Sequence, residues 1–219
     1  MPIINLVYEA PTIQPRTPWA NTLAYRPLKS DLNEASWKSW LNWSIASWSV
    51  SYSNNMATVD RLKINGSSLL NGWEWDFTIL SYTESANSSE TAFFPMISSS
   101  GYPSIKFWIY NNKTWFAYVT TWDVWNVATE QTVWSGVHLM VAVKTATSLK
   151  VYIDWVLVGE DTGSYPKVKS DNRGNNCWLG RDVVWTWTCT FGNLIVENKA
   201  WSAQEIANYY NQTKSNYGL

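Results

Sequence analysis

The sequence predicts an all-β sandwich with one short helix at its C-terminal end, and three observations carry that expectation. Strand-like runs follow one another from Thr22 onward, separated by Ser/Asn/Gly loops every 8 to 15 residues and without βα alternation. The run VHLMVAVK places Val137, Leu139, Val141 and Val143 on one face and His138, Met140 and Ala142 on the other. Apolar character on both faces is what a central strand requires. The third observation is a single capping box, Ser202 with Glu205 three residues on, opening a segment striped by Ile206, Tyr209 and Tyr210. Its 219 residues suit one domain with a short appendage.

In chain order, residues 1–20 contain Pro2, Pro11, Pro15 and Pro18 with no hydrophobic period, and read as an extended N-terminal arm. Residues 21–219 form the sandwich domain. Strands are expected at 22–28, 44–50, 57–64, 75–83, 91–98, 104–110, 114–121, 136–144, 148–154, 156–160, 176–180 and 189–197. The closing helix is too short to stand alone and is expected to pack on the rim of the sandwich, closing a sheet end. No internal repeat appears at periods of 20 to 50 residues.

Composition narrows the function classes. Sixteen basic and seventeen acidic side chains give a formal charge of -1 without any charge block, so the long-range attraction to phosphate that nucleic-acid binders use is absent. Charged residues are 15% of the chain, against about 25% in an ordinary domain, while Asn, Ser and Thr supply 20, 24 and 19 residues. Such a neutral hydrogen-bonding surface suits an extracellular, cell-surface or virion setting. No run approaches the roughly 18 apolar residues needed to span a bilayer, and the first residues lack the basic start of a signal peptide. With one histidine and two cysteines a zinc site is not expected; Cys177 and Cys189 are candidates for a disulfide across a hairpin. Five Asn-x-Ser/Thr sequons, at Asn42, Asn65, Asn87, Asn112 and Asn211, are what this composition produces by chance.

Tryptophan is the abnormal residue: 17 occur, with only 10 glycines. In VYIDWVLVG two strand-like runs flank Asp154-Trp155, where a two-residue hairpin turn asks for positive φ and hence Asp-Gly. Trp37, Trp40, Trp43 and Trp48 punctuate a Ser/Asn-rich loop, and Trp185 and Trp187 sit between two strand-like runs. Either these are aromatic residues on exposed loops, or several are UGA codons that their source reads as glycine. Trp19, Trp75, Trp178 and Trp201 sit beside apolar or helix-entry residues and read as native tryptophans.

The ordered segments TLAYRPL, LKINGSSLL, EWDFTIL, VHLMVAV, LKVYIDWVLV, CWLGRD and CTFGNLIVENKAWSAQEI resemble a laminin-G-like or concanavalin A-like lectin/glucanase domain over residues 21–212. The resemblance implies a two-sheet antiparallel jelly roll. Trp155, Trp185 and Trp187 depart from the pattern at the places that recoding would explain. In the glucanases of this fold a strand carries Glu-x-Asp-x-x-Glu, because retention needs two carboxylates about 5 to 5.5 Å apart. Here Glu74 and Asp76 are followed by no third carboxylate, so an enzyme is not expected. A Ser/His/Asp triad would have to draw His138 out of a hydrophobic strand, where a packed histidine is the expected state.

The resemblance also implies a rim calcium ion, with Asp154, Asp161 and Asp171 as candidate ligands on predicted turns. Sugar recognition would use aromatic faces with polar neighbours, for which Tyr118, Trp122, Trp125 and Asp182 are candidates. That platform disappears if Trp122 and Trp125 are recoded glycines. The expected function is a non-catalytic recognition module binding glycans or a surface protein through rim loops or the concave sheet. The alternative is a structural surface or virion protein, a homo-oligomer or particle subunit, whose N-terminal arm docks on neighbouring subunits.

Overall fold

A computed structural model describes residues 22–26, 43–45, 50–59, 62–65, 76–85, 90–97, 104–110, 113–121, 124–128, 135–165, 176–179 and 189–219. Among these residues the chain runs through β1 (Thr22–Arg26), β2 (Trp43–Ile45), β3 (Val50–Ser53), β4 (Met56–Val59), β5 (Leu62–Asn65), β6 (Phe77–Ser85), β7 (Glu90–Ile97) and β8 (Ser104–Tyr110). It continues through β9 (Lys113–Thr121), β10 (Val124–Ala128), β11 (Gly136–Lys144), β12 (Ser148–Ile153), β13 (Val156–Thr162), β14 (Asn176–Leu179) and β15 (Cys189–Glu197). The helix α1 (Ala203–Thr213) and the 3₁₀ turn η1 (Lys214–Tyr217) follow. The expected arm, residues 1–20, lies outside the described residues.

Two antiparallel sheets result. One is ordered β13-β12-β11-β6-β15-β4-β3, with β1 also paired to β15; the other is ordered β10-β9-β8-β7-β14-β5-β2. They meet where β12 and β13 run against β9 and β10. The expected all-β sandwich with a C-terminal helix is therefore the architecture observed. β11 lies between β12 and β6, at the centre of its sheet, because both of its faces are apolar: Leu139, Val141 and Val143 are buried, and so are Met140 and Ala142.

One face of that sheet carries Leu80 and Tyr82 from β6, Leu139, Val141 and Val143 from β11, Tyr152 from β12 and Ile195 from β15. Ile206, Tyr209 and Tyr210 of α1 and Trp201 before it cover this face, so the helix lies on the sheet and not at its rim, as the sequence had suggested. An apolar face on central strands needs cover more than a sheet end does. The capping box is present: Ser202 Oγ accepts from the Glu205 N–H, and Glu205 Oε2 accepts from the Ser202 N–H at 2.8 Å.

Three departures from the expected strands occur among the described residues. β10 was missed, since in Val124-Trp125-Asn126-Val127-Ala128 apolar and polar residues do not alternate. The expected strand 44–50 divides between β2 and β3, and 57–64 between β4 and β5, which belong to different sheets.

Candidate functional site

At one end of the larger sheet a two-residue turn, Asn54-Asn55, joins β3 to β4. Both residues have positive φ, 51° and 61°. Asn tolerates this left-handed backbone better than most residues, and a right-twisted hairpin favours it. The tip is fastened across the fold, because Asn55 Nδ2 donates to the Asn216 carbonyl in η1 at 2.8 Å.

Behind Asn216 the ring of Tyr217 is buried. It stacks on Tyr82 with ring centroids 3.9 Å apart, and its hydroxyl accepts from the Asn193 N–H at 3.0 Å. The ring fits because residue 192 is glycine: a Cβ there would stand 2.4 Å from a Tyr217 ring carbon. The Tyr82 hydroxyl is buried and hydrogen-bonded to Thr213 at 2.8 Å, and burial pushes its pKa far above the ordinary tyrosine value.

Between the hairpin tip and η1 opens a pocket of about 590 Å³. Its polar lining residues include Asn54, Asn55, Asn216 and Glu84, together with Thr58 and Thr190, whose hydroxyls hydrogen-bond one another at 2.9 Å. Its apolar surface comes from Met56, Val137 and Tyr217. Glu84 is exposed at the end of β6, and no hydrogen bond or ion pair holds it among the described residues. A concave site of this size, with a few convergent polar groups over an apolar floor, is the usual form of a small-ligand site.

None of these residues was singled out from the sequence. The signal was present in VSYS-NN-MATV, two short alternating runs around an Asn-Asn pair, which is hairpin chemistry.

The sequence candidates lie elsewhere. Asp154 caps the β12–β13 turn: its N–H donates to the Leu139 carbonyl, its Oδ1 accepts from the Leu139 N–H at 2.9 Å, and its Oδ2 lies 2.6 Å from His138 Nδ1. His138 is half-buried and tied to its neighbouring turn, as a packing histidine would be. Asp161 accepts a hydrogen bond from the Tyr165 hydroxyl at the far end of β13. Strand rise puts it roughly 15–20 Å from Asp154, so these two carboxylates do not share an ion. No group of three metal-ligating side chains occurs among the described residues.

Asp171, Asp182 and Trp122 fall outside the described residues. Tyr118 of β9 pairs in register with Asn126, and Trp125 of β10 with Val119, so the two aromatics stand one register step apart. Cys177 lies in β14 and Cys189 in β15, strands of different sheets, so the hairpin proposed to hold their disulfide is not formed.

Trp155 adopts φ 72° beside Asp154 at φ 48°, the turn that asks for glycine; the residue is 44% exposed, and its ring tilts onto that of Tyr210 with centroids 4.6 Å apart. Trp201, expected to be a native tryptophan, is buried and donates Nε1–H to Glu197 Oε2 at 2.5 Å.

Two antiparallel sheets, one of them covered by a C-terminal helix and carrying a pocket at its end, define an all-β sandwich. Among solved structures, the chain superposes on the binding domain of botulinum neurotoxin DC in complex with SialylT with a TM-score of 0.68 at 8% identity, covering 88% of this chain and 51% of that one. It superposes on the same toxin's binding domain in complex with rat synaptotagmin II with a TM-score of 0.66 at 11% identity, covering 87% and 51%. A structure of botulinum neurotoxin type C, whose cell entry depends on interaction with two ganglioside molecules, gives a TM-score of 0.66 at 12% identity with the same coverage. At these identities the likeness is one of fold, and the chain spans about half the length of these neighbours. No protein-family model matches the chain, and no curated protein matches it.

Proposed function

We propose that the chain is a non-catalytic, extracellular recognition module of the laminin-G-like or concanavalin A-like kind, binding a glycan or a protein partner at a rim of its sandwich. The observation that carries this reading is the pocket between the β3–β4 tip and η1, which sets amide, hydroxyl and carboxylate groups around an apolar floor. The fold it shares with domains solved in complex with SialylT and with synaptotagmin supports it. Among the described residues Glu84 is the one carboxylate lining the pocket, whereas glycoside hydrolysis needs an acid pair. Calcium belongs to the proposal as a rim ion, with Asp171, outside the described residues, as its remaining candidate ligand.

The recoding of several tryptophans belongs to it as well. The left-handed backbone of Trp155 is what a glycine codon would leave behind, and UGG at codons 37, 43 and 155 would end that idea. The test of function is a glycan array and a panel of cell-surface ectodomains, probed with and without calcium by protein made in both the Trp and the Gly form. Retention of a glycan class or an ectodomain is expected. Silence on every probe in both forms would leave the structural reading, in which residues 1–20 dock on a neighbouring subunit.

A further inference from the structure

We propose that the pocket between the β3–β4 tip and η1 is a site for an uncharged saccharide, and that it rejects sialylated and other anionic sugars. This rests on the recognition reading above and narrows it to one ligand class at one place. Three properties of the pocket lead there.

The first is charge. Among the described residues Glu84 is the one carboxylate that lines the pocket, and no described lysine or arginine lines it to receive an anion. A sialic acid would set carboxylate against carboxylate at close range, whereas a sugar hydroxyl would donate to Glu84 in a charge-assisted hydrogen bond.

The second is the match of donors and acceptors. Amides and hydroxyls, as at Asn54, Asn216 and Thr190, both give and take hydrogen bonds, as sugar hydroxyls do. Half-buried Val137 offers an apolar contact for the C–H face of a pyranose ring, with the buried Met56 and Tyr217 in the pocket wall beside it.

The third is preorganisation. The tip is tied to η1 through Asn55 and the Asn216 carbonyl, and Tyr217 is clamped between Tyr82 and the backbone of Asn193. Little has to be ordered on binding, which is where a shallow polar site otherwise loses affinity. None of the described lining residues is a tryptophan, so these groups stand whether or not tryptophans of this chain are recoded glycines.

The experiment titrates the full chain by calorimetry with neutral oligosaccharides, namely lactose, N-acetyllactosamine, cellobiose and chitobiose, and with 3′-sialyllactose as the anionic counterpart of lactose. An array of neutral glycans, each paired with its sialylated form, extends the set. Binding of a neutral member is expected, with its sialylated form at least about ten-fold weaker. Glu84→Gln should weaken the neutral sugar about ten-fold and erase the discrimination. Asn54→Gly removes an amide while keeping a residue that accepts positive φ, and should cost a similar factor. Both positions are exposed, so an unchanged melting temperature will show that the variants fold.

Equal or tighter binding of the sialylated forms overturns the proposal. So does a saccharide held with unchanged affinity by both variants, an outcome that places the site elsewhere and leaves the recognition function standing. Failure of every saccharide, neutral or anionic, removes the glycan reading itself along with this site.

Discussion

At the scale of single residues, two hairpin turns of the larger sheet, both of two residues, make a controlled comparison. Asn54-Asn55 and Asp154-Trp155 all have positive φ, yet only the last residue is of a type for which that backbone is costly. The turn at 154–155 was legible from the sequence, because strand-like runs flank a two-residue gap that opens with Asp. The identity of its second residue defied the rule that located it. Trp155 recovers part of the cost by lying on Tyr210, a tilted pair worth about 0.5–1.5 kcal/mol, while the left-handed backbone costs about 1–2 kcal/mol. Trp155→Gly should therefore come out near neutral. Trp155→Ala loses the ring and keeps the strain, so alanine should be less stable than glycine here by about 1 kcal/mol in urea unfolding. Equal stability of the Ala and Gly variants would mean that the hairpin does not impose the positive φ.

Among elements, the C-terminal segment was the most legible, because a capping box and a 3.6-residue stripe are local signals: Ser202, Glu205, Ile206, Tyr209 and Tyr210 all do what their spacing implies. Ser202→Ala should cost about 1 kcal/mol, read as a lowered urea midpoint with an unchanged slope. What the spacing could not show is where the helix docks, since that depends on strands distant in sequence, β6 and β11 among them. Thr78 illustrates the point: its hydroxyl donates to the Lys199 carbonyl and accepts from the Trp201 N–H, fixing the approach to α1 from within β6. The pocket was illegible for the same reason, as its walls come from β4, β6, β11, β15 and η1 and only the fold assembles them. Gly192 is the hinge of that assembly. Gly192→Ala drives a methyl into the Tyr217 ring, so it should destabilise the protein by about 2 kcal/mol and weaken ligand retention by the pocket that Tyr217 floors. Thermal melts paired with the saccharide titration check both effects, and a normal melt with normal binding would show that the ring moves aside freely.

For the whole molecule, the all-β architecture and the central place of β11 were legible because they follow from periodicity, whereas the assignment of strands to sheets was not, since β2/β3 and β4/β5 are contiguous in sequence and separated in space. The interior also holds side chains that periodicity treats as polar strand ends. Lys144, the last residue of β11, is fully buried, with Nζ donating to the Tyr165 carbonyl at 2.8 Å and standing 5.9 Å from the centre of the Phe77 ring. Burial lowers its pKa from the ordinary 10.5 to about 8, against the opposing pull of the Asp76 charge. Above pH 8 the folded chain therefore binds fewer protons than the unfolded chain, whose lysine stays charged to about pH 10.4, and stability must rise with pH across that interval. The buried tyrosines act in the opposite sense. Burial raises the pKa values of Tyr82, Tyr152, Tyr165 and Tyr210, so they hold their protons in the folded state after the unfolded chain begins to lose them near pH 10. Between pH 7 and 9 the lysine dominates, and unfolding free energy should climb by about 1 kcal/mol before falling above pH 10. Lys144→Met removes the titrating group while keeping an unbranched side chain of similar length. In that variant the rise from pH 7 to 9 should vanish and the fall above pH 10 should remain, both read from urea midpoints. A wild-type curve that is flat or falling across pH 7 to 9 would mean that the ammonium of Lys144 is solvated in the folded protein.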